Sequence, residues 1–205
     1  MLESRSNMKD RRRWHTRGYL PHFDGDVCQF ITFRLADSLP QVVLDRFEQE
    51  LEANKLERFY SREKQIKIEE FLDRGVGECL LGVPELAQIV MDALYHFECE
   101  RYKSFSFVIM PNHVHWLMRP MPTWTLSEIM KSVKGNTAFL INKHLGRKGA
   151  VWMPDYFDRY IRDSEHFEKA VRYIENNPVN AGLCELPEEW LFSSAHPVMR
   201  ARLRG

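Results

Sequence analysis

The chain has 205 residues, 44% hydrophobic and 28% charged, with ten Gly and ten Pro, a balance that supports one large domain with a real core and excludes collagenous, low-complexity and largely disordered chains. Basic and acidic side chains cancel at 29 each, but unevenly: residues 1–18 carry six basic against two acidic, residues 41–100 seven against fourteen, and residues 119–148 six against one. A neutral chain so divided can still present a basic face to phosphates.

The basic N-terminal arm, residues 1–20, has no apolar run behind it to make a secretory signal, and its Arg11, Arg12 and Arg13 either reach nucleic acid or form a solvated tail. From Val27 to Leu35 the side chains alternate with period two, which predicts a central strand. Val43, Leu44, Phe47 and Leu51, then Ile66, Phe71 and Leu72, predict two helices broken near Tyr60 and Ser61 within the acidic segment 41–100, and Gly75 and Gly77 end that region. Pro84 opens a helix with Leu86, Ile89, Val90, Ala93, Leu94 and Phe97 in one stripe. Two adjacent strands follow, Lys103–Ile109 and His113–Met118, joined tightly at Pro111 and Asn112.

Thr125 and Glu128 have capping-box spacing at the head of a long helix whose outer side carries Lys131 and Lys134. Gly149 to Asp163 reads as extended and aromatic, and Asp163 or Ser164 caps a helix with Phe167, Ala170, Val171 and Ile174 inward that Pro178 is expected to stop. The whole is an α+β domain over residues 21–195 with a short basic tail, 196–205, bearing Arg200, Arg202 and Arg204. The stretch from Phe105 to Met118, broken by five polar or proline residues, falls short of the roughly 18 to 20 apolar residues of a membrane span. A cytoplasmic protein with no membrane partner is the expectation, with Cys28, Cys79, Cys99 and Cys184 reduced and mostly buried.

Chemistry concentrates in two places. His113 and His115, two apart on a strand, share a face of the sheet while Val114 takes the other. The pair suits a divalent metal but is incomplete without a third ligand, and two ordinary half-buried histidines are the alternative. Tyr173 and Asn177 stand four apart on one helix face, where an amide carbonyl is a hard oxygen ligand and a phenol beside a cation can attack phosphate; a half-buried aromatic with a C-capping Asn is the alternative. Trp152, Tyr156, Phe157 and Arg159 either stack on unpaired bases or pack in the core.

Three blocks carry a resemblance: MPNHVHWLM (Met110–Met118), YFDRYIRD (Tyr156–Asp163) and RYIENNPVNAGL (Arg172–Leu183). In this order they resemble the REP-associated tyrosine transposases, relatives of the small insertion-sequence transposases in the HUH endonuclease superfamily, and the likeness spans roughly Val27 to Ser194. It implies a ferredoxin-like antiparallel sheet with helices packed on it and a helical insertion. It also implies Mg²⁺ or Mn²⁺ held by the strand histidines and a helix Asn or Gln, and a tyrosine that attacks a single-stranded DNA phosphate to leave a 5′-phosphotyrosine and a free 3′-OH. Position by position, His113 and His115 match the metal pair, Tyr173 the nucleophile and Asn177 the third ligand. Tyr156 and Tyr160 lack an amide one turn later, and Asn180 stands where the family's N-P-V-R-A-G-L has Arg.

The expected function is a metal-dependent endonuclease and transferase on single-stranded or hairpin DNA, as monomer or homodimer, with Lys131, Lys134, Trp152, Tyr156, Arg159 and the arginine arm as DNA contacts. The alternative is a domesticated, catalytically silent module holding the same hairpins.

Overall fold

In the computed structural model, residues 14–16, 21–40, 42–43, 45 and 62–204 are described. A short antiparallel ribbon, β1 (Trp14–Thr16) and β2 (Pro21–Phe23), precedes the main sheet. The alternating segment forms β3 (Gln29–Arg34), which turns Ile31 and Phe33 to one face and Phe30 and Thr32 to the other; all four are buried, as a strand covered on both faces requires. Strands β4 (Tyr102–Ile109), β5 (His113–Pro120) and β6 (Phe157–Tyr160) complete an antiparallel sheet in the order β4-β5-β3-β6. β3 is therefore internal, as its sequence predicts.

Helices α1 (Arg62–Asp73), α2 (Pro84–His96), α3 (Leu126–His144), α4 (Ser164–Asn180) and α5 (Pro197–Arg204) pack about the sheet. β3, α2, β4, β5, α3 and β6 make the ferredoxin-like βαββαβ succession, and α1 is an insertion between β3 and α2. Helices α2 and α3 pack through Leu86, Val90, Leu94, Ile129, Met130 and Val133 onto Ile31, Phe33, Val114 and Trp116. The opposite face is covered by α4, whose Ala170 and Ile174 meet Phe30, Val108 and Leu117. The capping box forms: Glu128 N–H donates to Thr125 Oγ1, and Thr125 N–H donates to the Glu128 carboxylate. Asp163 caps α4 by accepting from His166 N–H.

Three expectations are corrected, on the end of α4, the cysteines and Trp152, and the basic tail gains a structure that its sequence left open. Helix α4 does not stop at Pro178 but runs to Asn180, because a proline in the last turn forfeits only one helical hydrogen bond. The end is set by Gly182, whose left-handed φ of 69° lets Gly182 N–H reach Val179 O and Leu183 N–H reach Pro178 O. The basic tail is helix α5, docked by Met199 and Leu203, with Arg200 paired to Glu175 and Arg202 lying over Tyr95. The cysteines are free, but Cys99 is exposed and the other three are half-buried. Trp152 belongs to the core: it packs edge-on against Phe33 and donates Nε1–H to Thr137. The predicted break near Tyr60 and Ser61 lies outside the described residues, as do Arg11, Arg12 and Arg13. Among the described residues no helix is long and apolar enough to cross a membrane.

Candidate active site

Strand parity puts His113 and His115 on the α4 side of the sheet, and both are buried, with their Nε2 atoms 3.1 Å apart. Each ring is fixed from behind. Asn112 holds the first: its Nδ2 donates to the carbonyls of Leu72 and Val76, which settles the amide orientation and leaves Oδ1 facing His113 Nδ1 at 2.8 Å. An amide oxygen can only accept, so His113 carries its proton on Nδ1 and presents the Nε2 lone pair to the site. His115 Nε2–H then donates to His113 Nε2, while its Nδ1 meets the Thr32 hydroxyl at 2.8 Å across the β3–β5 register. A hydroxyl both donates and accepts, so His115 can carry its proton on Nδ1 instead and free its own Nε2. Burial pushes the His113 pKa down to about 3, with Asn177 opposing, and holds that of His115 well below its ordinary value, with His113 adding to the effect. Both imidazoles are neutral and ligand-competent at physiological pH.

Helix α4 lays Tyr173 and Asn177 across the pair. The Tyr173 ring sits 5.3 Å from that of His115 and 5.8 Å from Phe30, whose own ring stacks on His115 at 5.4 Å. Asn177 is 1% exposed, and neither its Oδ1 nor its Nδ2 closes a hydrogen bond; the Tyr173 hydroxyl is equally unpaired. Burial raises the pKa of that hydroxyl, and the facing carboxylates of Glu69 and Asp73 raise it further. The phenol is therefore protonated at neutral pH. Helix α1 supplies both carboxylates. The pKa of Asp73 is raised by burial and drawn back by the Asn177 amide it faces, and its Oδ1 is also buried without a partner.

Unpaired buried polar atoms are costly and rare, and here those of Tyr173, Asn177 and Asp73 gather beside the two imidazole rings. Among the described residues no three His, Cys, Asp or Glu side chains group as a metal site, so among them a third protein ligand at the histidine pair is of another type. The buried Asn177 amide is one. Two neutral imidazoles and an amide oxygen, with no thiolate, fit Mg²⁺ or Mn²⁺ with retained waters.

The predicted DNA contacts separate. Arg159 is exposed on β6 opposite Phe30, which puts it on the histidine face two strands from β5. Lys131 is exposed on α3, in the layer behind the sheet. Lys134 is not on an outer side: its ammonium donates to the carbonyls of Met153 and Pro154 at 2.7 Å each, and burial brings its pKa down to about 8. Tyr156 is half-buried with its ring 4.4 Å from His22, and buried Trp152 has no face for a base. Sequence reasoning missed Asn112, which it took as a turn residue, together with Thr32, Glu69 and Asp73. Only the position of Asn112 directly before His113 offered a signal.

Residues 83–177 match the family model for IS200-like transposases. The chain is 25% identical over 124 residues to a protein of Haemophilus influenzae assigned as a REP-associated tyrosine transposase, covering 53% of this chain and 69% of that one. It is 24% identical over 112 residues to the REP-associated tyrosine transposase of Escherichia coli, covering 53% and 64%. A solved structure of a REP-associated tyrosine transposase bound to a REP hairpin superposes with a TM-score of 0.54 at 17% identity, covering 92% of this chain and 86% of that one, which supports a shared fold.

Proposed function

We propose that this chain belongs with the REP-associated tyrosine transposases of the HUH superfamily, which it resembles in sequence and in fold, and that it is a metal-dependent single-strand endonuclease and strand transferase acting on hairpin DNA. The observation that carries this reading is the convergence of the His113 and His115 Nε2 atoms, the unpaired Asn177 amide and the unpaired Tyr173 hydroxyl on one face of the sheet.

His113, His115 and Asn177 would hold the divalent cation. When bound, it polarises the scissile phosphate and steadies charge on the attacking and leaving oxygens. The two imidazoles stay neutral because they are buried, and oriented because Asn112 and Thr32 hold their far nitrogens. Tyr173 attacks phosphorus: its O–P bond forms as the P–O3′ bond breaks, giving a 5′-phosphotyrosine, and the departing 3′ oxygen takes up a proton. Glu69, which faces the hydroxyl, accepts the phenol proton, a needed role because the phenol does not ionise unaided at neutral pH. The ester conserves the energy of the broken phosphodiester, so a 3′-OH reverses or redirects the reaction without a nucleotide cofactor. Arg159, on the same sheet face, contacts the DNA backbone.

The test is Tyr173→Phe, incubated with Mg²⁺ and a labelled hairpin oligonucleotide with single-stranded flanks, then run on a denaturing gel. Hairpin binding is expected to persist while cleavage and the covalent adduct both vanish. An adduct that persists, or that maps to Tyr156 or Tyr160, overturns the assignment.

A further inference from the structure

The helical insertion has no part in the ferredoxin-like succession, yet its C-terminal end is tied directly to the candidate site. One buried side chain makes the tie: Asn112 donates to Leu72 O and Val76 O, both at 3.1 Å, and faces His113 Nδ1 with its oxygen. The last residue of α1 is Asp73. Its carboxylate lies within interaction range of the Asn177 side chain, a residue 1% exposed that also interacts with His113. Asp73 Oδ1 and both polar atoms of Asn177 are buried without closed hydrogen bonds.

We propose that Asp73 is a positioning residue for the cation site, taking the Nδ2–H of Asn177 and thereby turning the Asn177 carbonyl toward His113. The inference rests on the reading of Asn177 as third ligand and extends it to the insertion. Its physical basis is an asymmetry of the amide: one end donates and the other accepts, and an isolated Asn can present either. A carboxylate can only accept, so it selects the NH₂ end and leaves the oxygen on the histidine side. A cation needs that oxygen, because an amide NH₂ turned inward would repel it. All three candidate ligands then have a partner behind them: Asn112 behind His113, Thr32 behind His115 and Asp73 behind Asn177. Partners of this kind commonly change metal affinity by roughly 10- to 100-fold when removed.

The experiment is a titration of the full-length protein with Mn²⁺ in the absence of DNA, free Mn²⁺ being read by EPR, with thermal melts to confirm folding. Asp73→Ala is expected to weaken Mn²⁺ binding by roughly tenfold. Asp73→Asn keeps an acceptor oxygen and is expected to bind within about threefold of the parent. In an Asn177→Ala background, Asp73→Ala is expected to add nothing, since its effect passes through the amide. Parent-like affinity in Asp73→Ala overturns the proposal, as does a loss in Asp73→Asn equal to that in Asp73→Ala, which would assign the effect to charge. Additive losses in the double variant overturn it as well. Failure of the underlying reading looks different: Asn177→Ala would bind Mn²⁺ like the parent while His113→Ala abolished binding.

Discussion

Replacing Asn112 by Ala removes three hydrogen bonds at once, and their surroundings set the cost. The Leu72 carbonyl keeps a partner, because Gly75 N–H also donates to it at 3.0 Å. Among the described residues the Val76 carbonyl keeps only the Cys79 thiol at 4.0 Å, and His113 Nδ1–H loses its acceptor inside a site where the imidazole is 1% exposed. Two stranded groups at about 1–3 kcal/mol each, one of them fully buried, give a loss of about 3 kcal/mol. For a chain of this size that lowers the melting temperature by about 6–12 °C. Asn112→Asp keeps an acceptor for His113 but turns both donors into an oxygen facing two carbonyls, so it is expected to be at least as unstable as Asn112→Ala. Differential scanning calorimetry on the three proteins reads this directly. An Asn112→Ala protein that melts within about 2 °C of the parent would refute the clamp, and with it the tie between α1 and the histidine strand.

Stability is expected to fall on the alkaline side because of His22. Burial would lower its pKa, but hydrogen bonds with Asp155 and Asp158 and the charges of both raise it to about 9. With the folded value above the unfolded value of about 6.5, the contribution is complete below pH 6.5 and is lost as pH rises through 9. Urea melts from pH 6.5 to 9.5 should show a decline on the order of 2 kcal/mol, allowing for the partial exposure of Asp155, and the decline should be absent in His22→Gln; equal slopes in the two proteins would refute it. Gly77→Ala should cost clearly more than Gly182→Ala. Both have left-handed φ, 94° and 69°, but a Cβ on Gly77 would stand 2.7 Å from the Asp37 carbonyl oxygen, while one on Gly182 meets nothing within 4 Å. The strain alone is roughly 1–2 kcal/mol, and equal melting temperatures for the two variants would contradict the assigned contact.

Features that depend on local periodicity were legible in the chain. Alternation from Val27 to Leu35 specified an internal strand, the Thr125–Glu128 spacing specified a capped helix, and the parity of His113 and His115 put both imidazoles on one face. What distant segments do to one another was not. Lys134 lies on a helix with lysines and reads as solvated, but the chain returns at Met153 and Pro154 to take its ammonium. Trp152 reads equally as a base platform or as core until the β3 partner Phe33 is known. Pro178 misled because its cost was counted while the compensating turn, set four residues later by Gly182, was not. Asp73 and Thr32 carry no periodic signal: one belongs to an insertion and the other is an ordinary strand threonine, and only the β3–β5 register and the Asn112 clamp bring them to the histidines.

The spacing of Tyr173 and Asn177 on a single helix has a mechanical consequence. The two imidazoles belong to the sheet, whereas the phenol and the amide travel together on α4 as one rigid lever bearing on the ring stack of Phe30, His115 and Tyr173. Under the proposed reading, tilting or sliding that lever would withdraw the attacking oxygen and loosen the ion's seat in the same stroke, so that α4 would engage or idle both functions together.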